Sequence, residues 1–193
     1  MEQKLKVLQR VACELNAAGV VWGVGASLLM YFHGMSDHFN DIDLVVSEAD
    51  VEKVDALLAS MGEKCARGPS GVYTTRYFYE YVIEGVELDV MGGFGICNEG
   101  VSYRYEFGPA ALAGTRMVND EPVPLIALED WYLLYQLMPQ RQAKVLLLEQ
   151  HLRQPGCLNI AHLQALLQAE LPQAVRQRVN QLLGFIHERE EAL

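Results

Sequence analysis

The chain is poor in cysteine and poor in positive charge. Its four cysteines, Cys13, Cys65, Cys97 and Cys157, stand far apart with no Cys-x-x-Cys pair. That spacing supports neither a zinc cluster nor a disulfide framework. Fifteen Lys and Arg face 25 Asp and Glu, leaving a net charge of −10. A net-acidic chain is a poor default partner for nucleic acid or an anionic membrane, because both need a cationic footprint. The opening Met1-Glu2-Gln3-Lys4 carries no signal-peptide pattern, and with the scattered cysteines it predicts a reducing cytoplasm. Internal repeats and low-complexity segments are absent too. With 51% hydrophobic and 21% charged residues, wholesale disorder is excluded.

One long uncharged stretch, from Asn16 to Ser36, is the length of a membrane span. Gly19, Gly23, Gly25 and Gly34 interrupt it and no basic cluster flanks it. A buried strand running into a buried helix explains it better. The spacing of Leu5, Leu8, Val11, Ala12 and Leu15 predicts a helix over 3–18. Strands are expected at Val20–Val24, Ile42–Val46, Val72–Ile83, Val86–Met91 and Val101–Phe107. Leu28–His33 reads as a short helix, and Ser47 is a good cap for another over about 48–60. Glu121–Leu125 carries two prolines, which predicts an edge strand or a connector. After Ile126 the texture turns helical, with Leu128–Met138, Gln140–Leu152, Asn159–Ala169 and Pro172–Glu188 separated by prolines. The expected fold class is α+β. A mixed sheet with flanking helices occupies 1–124, and a C-terminal helical region 125–193. The acid excess lies in the first part, with 18 acids against nine bases up to residue 124.

Chemistry concentrates in the acids. In Asp41-Ile42-Asp43 the two carboxylates point the same way if a strand begins there, because side chains alternate faces. Two acids so close repel unless a cation or solvent compensates them. A hard divalent ion fits such oxygen donors, although an isolated Asp-x-Asp also occurs as a solvated strand start. Val86-Glu87-Leu88-Asp89-Val90 repeats the alternation and sets Glu87 and Asp89 on one face. Ahead of both lies Gly23-Val24-Gly25-Ala26-Ser27, a strand-to-helix turn suited to an anion.

A Gly-Ala-Ser turn, an Asp-Ile-Asp strand start and a later Leu-Asp-Val strand, in that order, resemble the nucleotidyltransferase superfamily with its polymerase-β-like fold. Gly25–Val46, with His33-Gly34 ahead of the acids, looks most like minimal bacterial members. These include lincosamide- and aminoglycoside-modifying enzymes and the nucleotidyltransferase toxins of type IV toxin–antitoxin pairs. The resemblance covers roughly residues 18–92. It implies that Asp41, Asp43 and Asp89 hold two Mg²⁺ ions, with Asp89 also helping to deprotonate the acceptor. It implies that Gly25 and Ser27 cradle the phosphates of an NTP co-substrate.

The sequence departs from the family pattern at two places. Ala26 stands where the family has glycine. Between Leu28 and Asn40, where many members carry a basic residue, there is none, only His33 and His38. Arg141 and Lys144, i and i+3 on a tail helix, are the expected triphosphate cations, with a solvated helix face as the alternative. Arg76 and Arg104 are further candidates for the cleft. Tyr73, Tyr77, Tyr79 and Tyr81 read as sheet packing ahead of a base-stacking platform.

The implied reaction is Mg-dependent transfer of a nucleoside monophosphate from an NTP to a hydroxyl, with release of pyrophosphate. The acid excess tilts the acceptor toward a small, cationic molecule and away from nucleic acid. A catalytically silent nucleotide-binding or regulatory module stays open, as does a toxin that modifies RNA or protein. No membrane partner is expected, and homo-oligomerisation is left open.

Overall fold

The computed structural model describes residues 1–65 and 71–191. They divide into two compact units. The first comprises Met1–Gly95 and Arg104–Ala127, the second Ile96–Tyr103 and Leu128–Leu193.

In the first unit α1 (Glu2–Ala17) leads into β1 (Trp22–Val24), α2 (Ala26–Phe32) and β2 (Ile42–Val46). Val7, Leu8, Val11, Ala12 and Leu15 form the buried stripe of α1, close to the predicted one. Ser47 caps as expected, its hydroxyl accepting from Ala49 N–H at 3.3 Å. It caps a 3₁₀ turn over 48–50, which opens into α3 (Val51–Met61). Asp50 accepts from Val21 N–H at 3.0 Å, tying that turn to the start of β1. Then follow β3 (Glu63–Cys65), β4 (Tyr77–Ile83) and β5 (Val86–Gly92). The second unit takes most of a small hairpin, β6 (Gly95–Asn98) and β7 (Val101–Arg104). Back in the first unit lie β8 (Leu112–Val118) and β9 (Glu121–Ile126). The tail supplies α4 (Leu128–Leu137), α5 (Gln142–Leu152), α6 (Ile160–Leu166) and α7 (Gln173–Glu191).

The sheet of the first unit is mixed, in the order β3-β4-β5-β2-β1-β9-β8. β2 runs antiparallel to β1 but parallel to β5. Ile42, Leu44, Leu88 and Val90 turn one way into the core and are at most 1% exposed. Val51, Val54 and Leu58 make the buried stripe of α3. The strand–helix approach is tight, and a Cβ at Gly92 would collide with Val51 Cγ2.

Three expectations are corrected. β9 is not an edge strand, because β8 pairs outside it over Leu112–Val118. Pro122 and Pro124 are tolerated because β9 meets β1 at a single pair, Val24 with Leu125. The strand expected from Val72 begins only at Tyr77. Ahead of it, Thr74 N–H and Arg76 N–H bond to the Gly95 and Gly93 carbonyls, and Gly93 bends the partner chain at φ +58°. Finally, the strand expected over Val101–Phe107 stops at Arg104.

In the second unit α4 is buried on nearly every side, Glu129 and Asp130 included. Glu129 accepts from Asn159 N–H at 2.6 Å, and Asp130 pairs with His162 Nε2 at 2.7 Å. Glu149 on α5 gathers Arg153 and Arg178, each at 2.8 Å. Burial pulls the Glu149 carboxyl upward, but these hydrogen bonds outweigh it and hold the group below the usual carboxylate range. Asn98 of the hairpin donates to the Leu137 carbonyl at 2.7 Å.

Candidate active site

Strand register builds the acidic site. β2 and β5 run parallel with Asp43 directly beside Asp89. Alternation that sends Ile42, Leu44 and Leu88 into the core must send these two acids to the opposite face. Asp41 precedes the first ladder pair by one residue. One oxygen from each of Asp41, Asp43 and Asp89 lies within 4.8 Å of the others, and all three residues are half-buried. Oxygens on opposite sides of one octahedral Mg²⁺ are about 4.2 Å apart, so the cluster fits a hard divalent cation with little side-chain adjustment.

The sheet brings a fourth acid into the same row. Glu80 pairs with Asp89 across β4 and β5, so cross-strand neighbours Glu80, Asp89 and Asp43 share one face. Sequence reasoning missed Glu80, since tyrosines on both sides disguise its parity. The signal was there in the hairpin turn Glu84-Gly85, which fixes the register. Glu87, expected near the acids, is exposed and lies outside the three-carboxylate group.

The β4 tyrosines Tyr77, Tyr79 and Tyr81 fall on the opposite face. Tyr79 and Tyr81 pair with Val90 and Leu88. The Tyr81 hydroxyl donates to Asp55 of α3, and Lys64 Nζ sits 3.6 Å above the Tyr79 ring. Burial first, then the Asp55 carboxylate, pushes the Tyr81 hydroxyl well above its ordinary range.

The Gly25 turn closes on the acids from the β1 side. Gly25 N–H donates to the Asp43 carbonyl at 3.1 Å, and the Gly25 carbonyl accepts from Leu29 N–H at 3.0 Å. Gly25 therefore fixes the turn to β2, and its own N–H is already used. The N–H groups of Ala26 and Ser27 precede the first helical bond, so α2 itself offers them no acceptor. Ala26 sits at φ +47°, in the left-handed region that favours glycine. Ser27 Oγ is buried and has no hydrogen-bond partner among the described residues.

The remaining candidates lie elsewhere. Arg76 and Arg104 reach Glu48, at 3.0 and 3.7 Å, beyond the far end of β2 from Asp41. His38 pairs with Asp37 at 2.6 Å on an exposed loop. Arg141 and Lys144 belong to the second unit, and the carboxylates to the first. Arg141 stands at the N-cap of α5. Lys144 Nζ donates to the Tyr135 hydroxyl at 3.2 Å and lies 5.0 Å from the centre of its ring.

Comparison with known proteins agrees at the level of fold. No protein-family model matches the sequence, and no curated protein is similar to it in sequence. Solved structures do match. A candidate nucleotidyltransferase from Thermotoga maritima aligns over 75% of this chain and 91% of its own, at 23% identity and TM-score 0.60. ANT(2'')-Ia in complex with adenylyl-2''-tobramycin aligns over 97% of this chain and 99% of its own, at 11% identity and TM-score 0.54. The lincomycin-bound lincosamide antibiotic adenylyltransferase LnuA covers 77% of this chain and 96% of its own, at 16% identity and TM-score 0.50. The chain thus has the nucleotidyltransferase fold, as its three motifs implied. Among the described residues, no helix is long and apolar enough to cross a membrane.

Proposed function

We propose that this protein is an enzyme that transfers a nucleoside monophosphate from an NTP to a hydroxyl of a small acceptor and releases pyrophosphate. The observation that carries the reading is the convergence of Asp41, Asp43 and Asp89 on one face, with oxygens within 4.8 Å of one another. Nucleotidyl transfer involves little covalent work by protein groups, so positioning and charge compensation supply most of the acceleration.

In this reading the three aspartates hold two Mg²⁺ ions. Bound Mg²⁺ supplies compensation of phosphate charge and acidifies a coordinated hydroxyl. Asp89 accepts the proton of the acceptor hydroxyl. The Ala26 and Ser27 N–H groups and the Ser27 hydroxyl bind the β- and γ-phosphates, which gives the buried Ser27 Oγ the partner it lacks among the described residues. Gly25 orients this turn through its bond to the Asp43 carbonyl. The first unit is the catalytic domain, and the compartment is the cytoplasm, in keeping with four free cysteines.

The acceptor is a small, cationic, hydroxylated molecule. The carboxylate row and the acid excess attract such a molecule electrostatically. ANT(2'')-Ia, which shares the fold, was solved in complex with adenylyl-2''-tobramycin. The competing reading, a nucleotide-binding module without catalysis, draws on one observation. Ala26 holds a strained conformation where the family has glycine.

Asp43→Asn separates the two. For an enzyme, NTP stabilises the wild type against heat only with Mg²⁺ present. Labelled NTP then adds one nucleoside monophosphate to an acceptor from an aminoglycoside and lincosamide panel. Asp43→Asn lowers that transfer by about 10²–10³-fold, the scale for losing one transition-state stabiliser. Stabilisation by NTP alone, with no transfer across NTPs and acceptors, would favour the silent module.

A further inference from the structure

Two of the three site acids are fixed by the sheet, and the third is not. The β2–β5 ladder runs from Ile42 beside Leu88 to Val46 beside Gly92, so Asp43 and Asp89 are set by main-chain pairing. Asp41 stands one residue outside that ladder, at the end of the connection from α2. Something else must hold it in register with the other two.

We infer that Lys4 of α1 is the positioning residue for Asp41. Its Nζ donates to the Phe39 carbonyl at 2.8 Å and to the Asn40 carbonyl at 2.5 Å. The same ammonium lies 5.4 Å from the centre of the Phe39 ring. Phe39 is itself 2% exposed and packs on Tyr31, with ring centres 5.2 Å apart. The connection is thus pinned by an apolar anchor and by one ammonium that gathers two consecutive carbonyls. The second contact matters most. The Asn40 carbonyl and the Asp41 N–H belong to a single planar peptide unit. Holding that oxygen restrains the peptide plane from which Asp41 departs, and so narrows the range of positions open to its carboxylate. Charged donors make the stronger hydrogen bonds, which suits a contact that must hold a loop. The interval from Leu28 to Asn40 has no lysine or arginine of its own. The fold brings one in from the first helix.

This inference rests on the metal-dependent reading above, and its test distinguishes the two. Mn²⁺ affinity is measured by electron paramagnetic resonance for the full chain, with thermal stability recorded alongside. The activation constant for Mg²⁺ is measured wherever transfer is detected. Lys4→Met weakens Mn²⁺ binding by about tenfold, the usual scale for an outer-shell group that orients a metal ligand. It raises the Mg²⁺ activation constant similarly, while kcat at saturating Mg²⁺ stays within about threefold. Generalised damage would lower the active fraction and leave that constant unmoved. Lys4→Arg, which keeps a cationic donor, restores most of the affinity. Lys4→Gln gives an intermediate shift and serves if Lys4→Met does not fold. Lys6→Met is the control, since Lys6 pairs with Glu2 at 2.7 Å on the exposed face of the same helix. Mn²⁺ binding that Asp43→Asn abolishes but the folded Lys4 variants leave unmoved overturns the role of Lys4 alone. A wild-type protein that binds no Mn²⁺ overturns both readings.

Discussion

Replacing Ala26 by glycine tests the backbone of the phosphate turn directly. Ala26 is 7% exposed and sits at φ +47°. That region costs an L-residue about 1–2 kcal/mol. Glycine removes the penalty. It also gives up one buried methyl, about 0.8 kcal/mol, and gains freedom in the unfolded chain worth about 0.4–1 kcal/mol. These terms cancel, so Ala26→Gly is expected to change stability by about zero. The same exchange at Ala12 provides the scale. Ala12 is 0% exposed inside α1 and belongs to the same compact unit. There the methyl is lost and the helix interior adds a further cost of about 1 kcal/mol, for a total of about 2. Urea unfolding of the two variants with unchanged slopes should therefore give midpoints about 2 kcal/mol apart after conversion. Destabilisation at Ala26 equal to that at Ala12 would mean that the turn carries no left-handed strain. The strongest argument for its being a glycine position in disguise would then fail.

Two further substitutions probe polar groups. Ser27→Ala removes a buried hydroxyl that has no partner among the described residues, so the free protein should be unchanged or up to about 1 kcal/mol more stable. Isothermal titration should nevertheless show NTP binding weakened by about tenfold, the worth of one hydrogen bond to a charged group. Glu149→Gln should cost about 2 kcal/mol at neutral pH, read by urea unfolding followed by circular dichroism, because Arg153 and Arg178 lose a charged acceptor. The folded carboxyl lies below its unfolded value of about 4.3, so its contribution is complete above that pH and fades as pH falls through the folded value. The difference between variant and wild type should shrink accordingly below about pH 4.

The parts of the fold legible in the sequence are those that local periodicity controls. The α1 stripe, the Ile42–Val46 and Val86–Gly92 strands and the four tail helices all follow from spacing and punctuation. The misreadings share a cause. β8 has no apolar alternation because Ala113 to Met117 are exposed on both faces, so nothing local announces it. Without β8, the prolines of β9 read as an edge signal. The Val72–Ile83 run is rich in β-formers, yet only its second half forms a regular ladder, because Gly93 bends the partner chain. At the site, Asp43 and Asp89 were readable from alternation. Glu80 required the register of β4 on β5, and Lys4 required the tertiary approach of α1 to the Phe39–Asn40 carbonyls. Neither contact leaves a mark at its own position in the sequence.

A sheet that gathers three carboxylates must bear their repulsion, and this gives Asp43→Asn a second use. Unit charges 4.8 Å apart repel by about 0.9 kcal/mol even at the dielectric of water, and Asp43 has two such neighbours. Salt at physiological strength screens part of this, leaving about 1 kcal/mol to be released when Asp43 becomes neutral. Asp43 and Asp89 also take part in other interactions within the chain, which Asp43→Asn gives up, so in metal-free buffer the variant should lie within about 1 kcal/mol of the wild type while transfer falls by about 10²–10³-fold. Millimolar Mn²⁺ should stabilise the wild type and leave the variant unmoved, because it acts only on a chain that retains the binding site. Urea midpoints of both proteins with and without Mn²⁺ give the four values needed. If Mn²⁺ moves both midpoints equally, or moves neither, the three acids do not hold it. The case for a cation between them would then be lost.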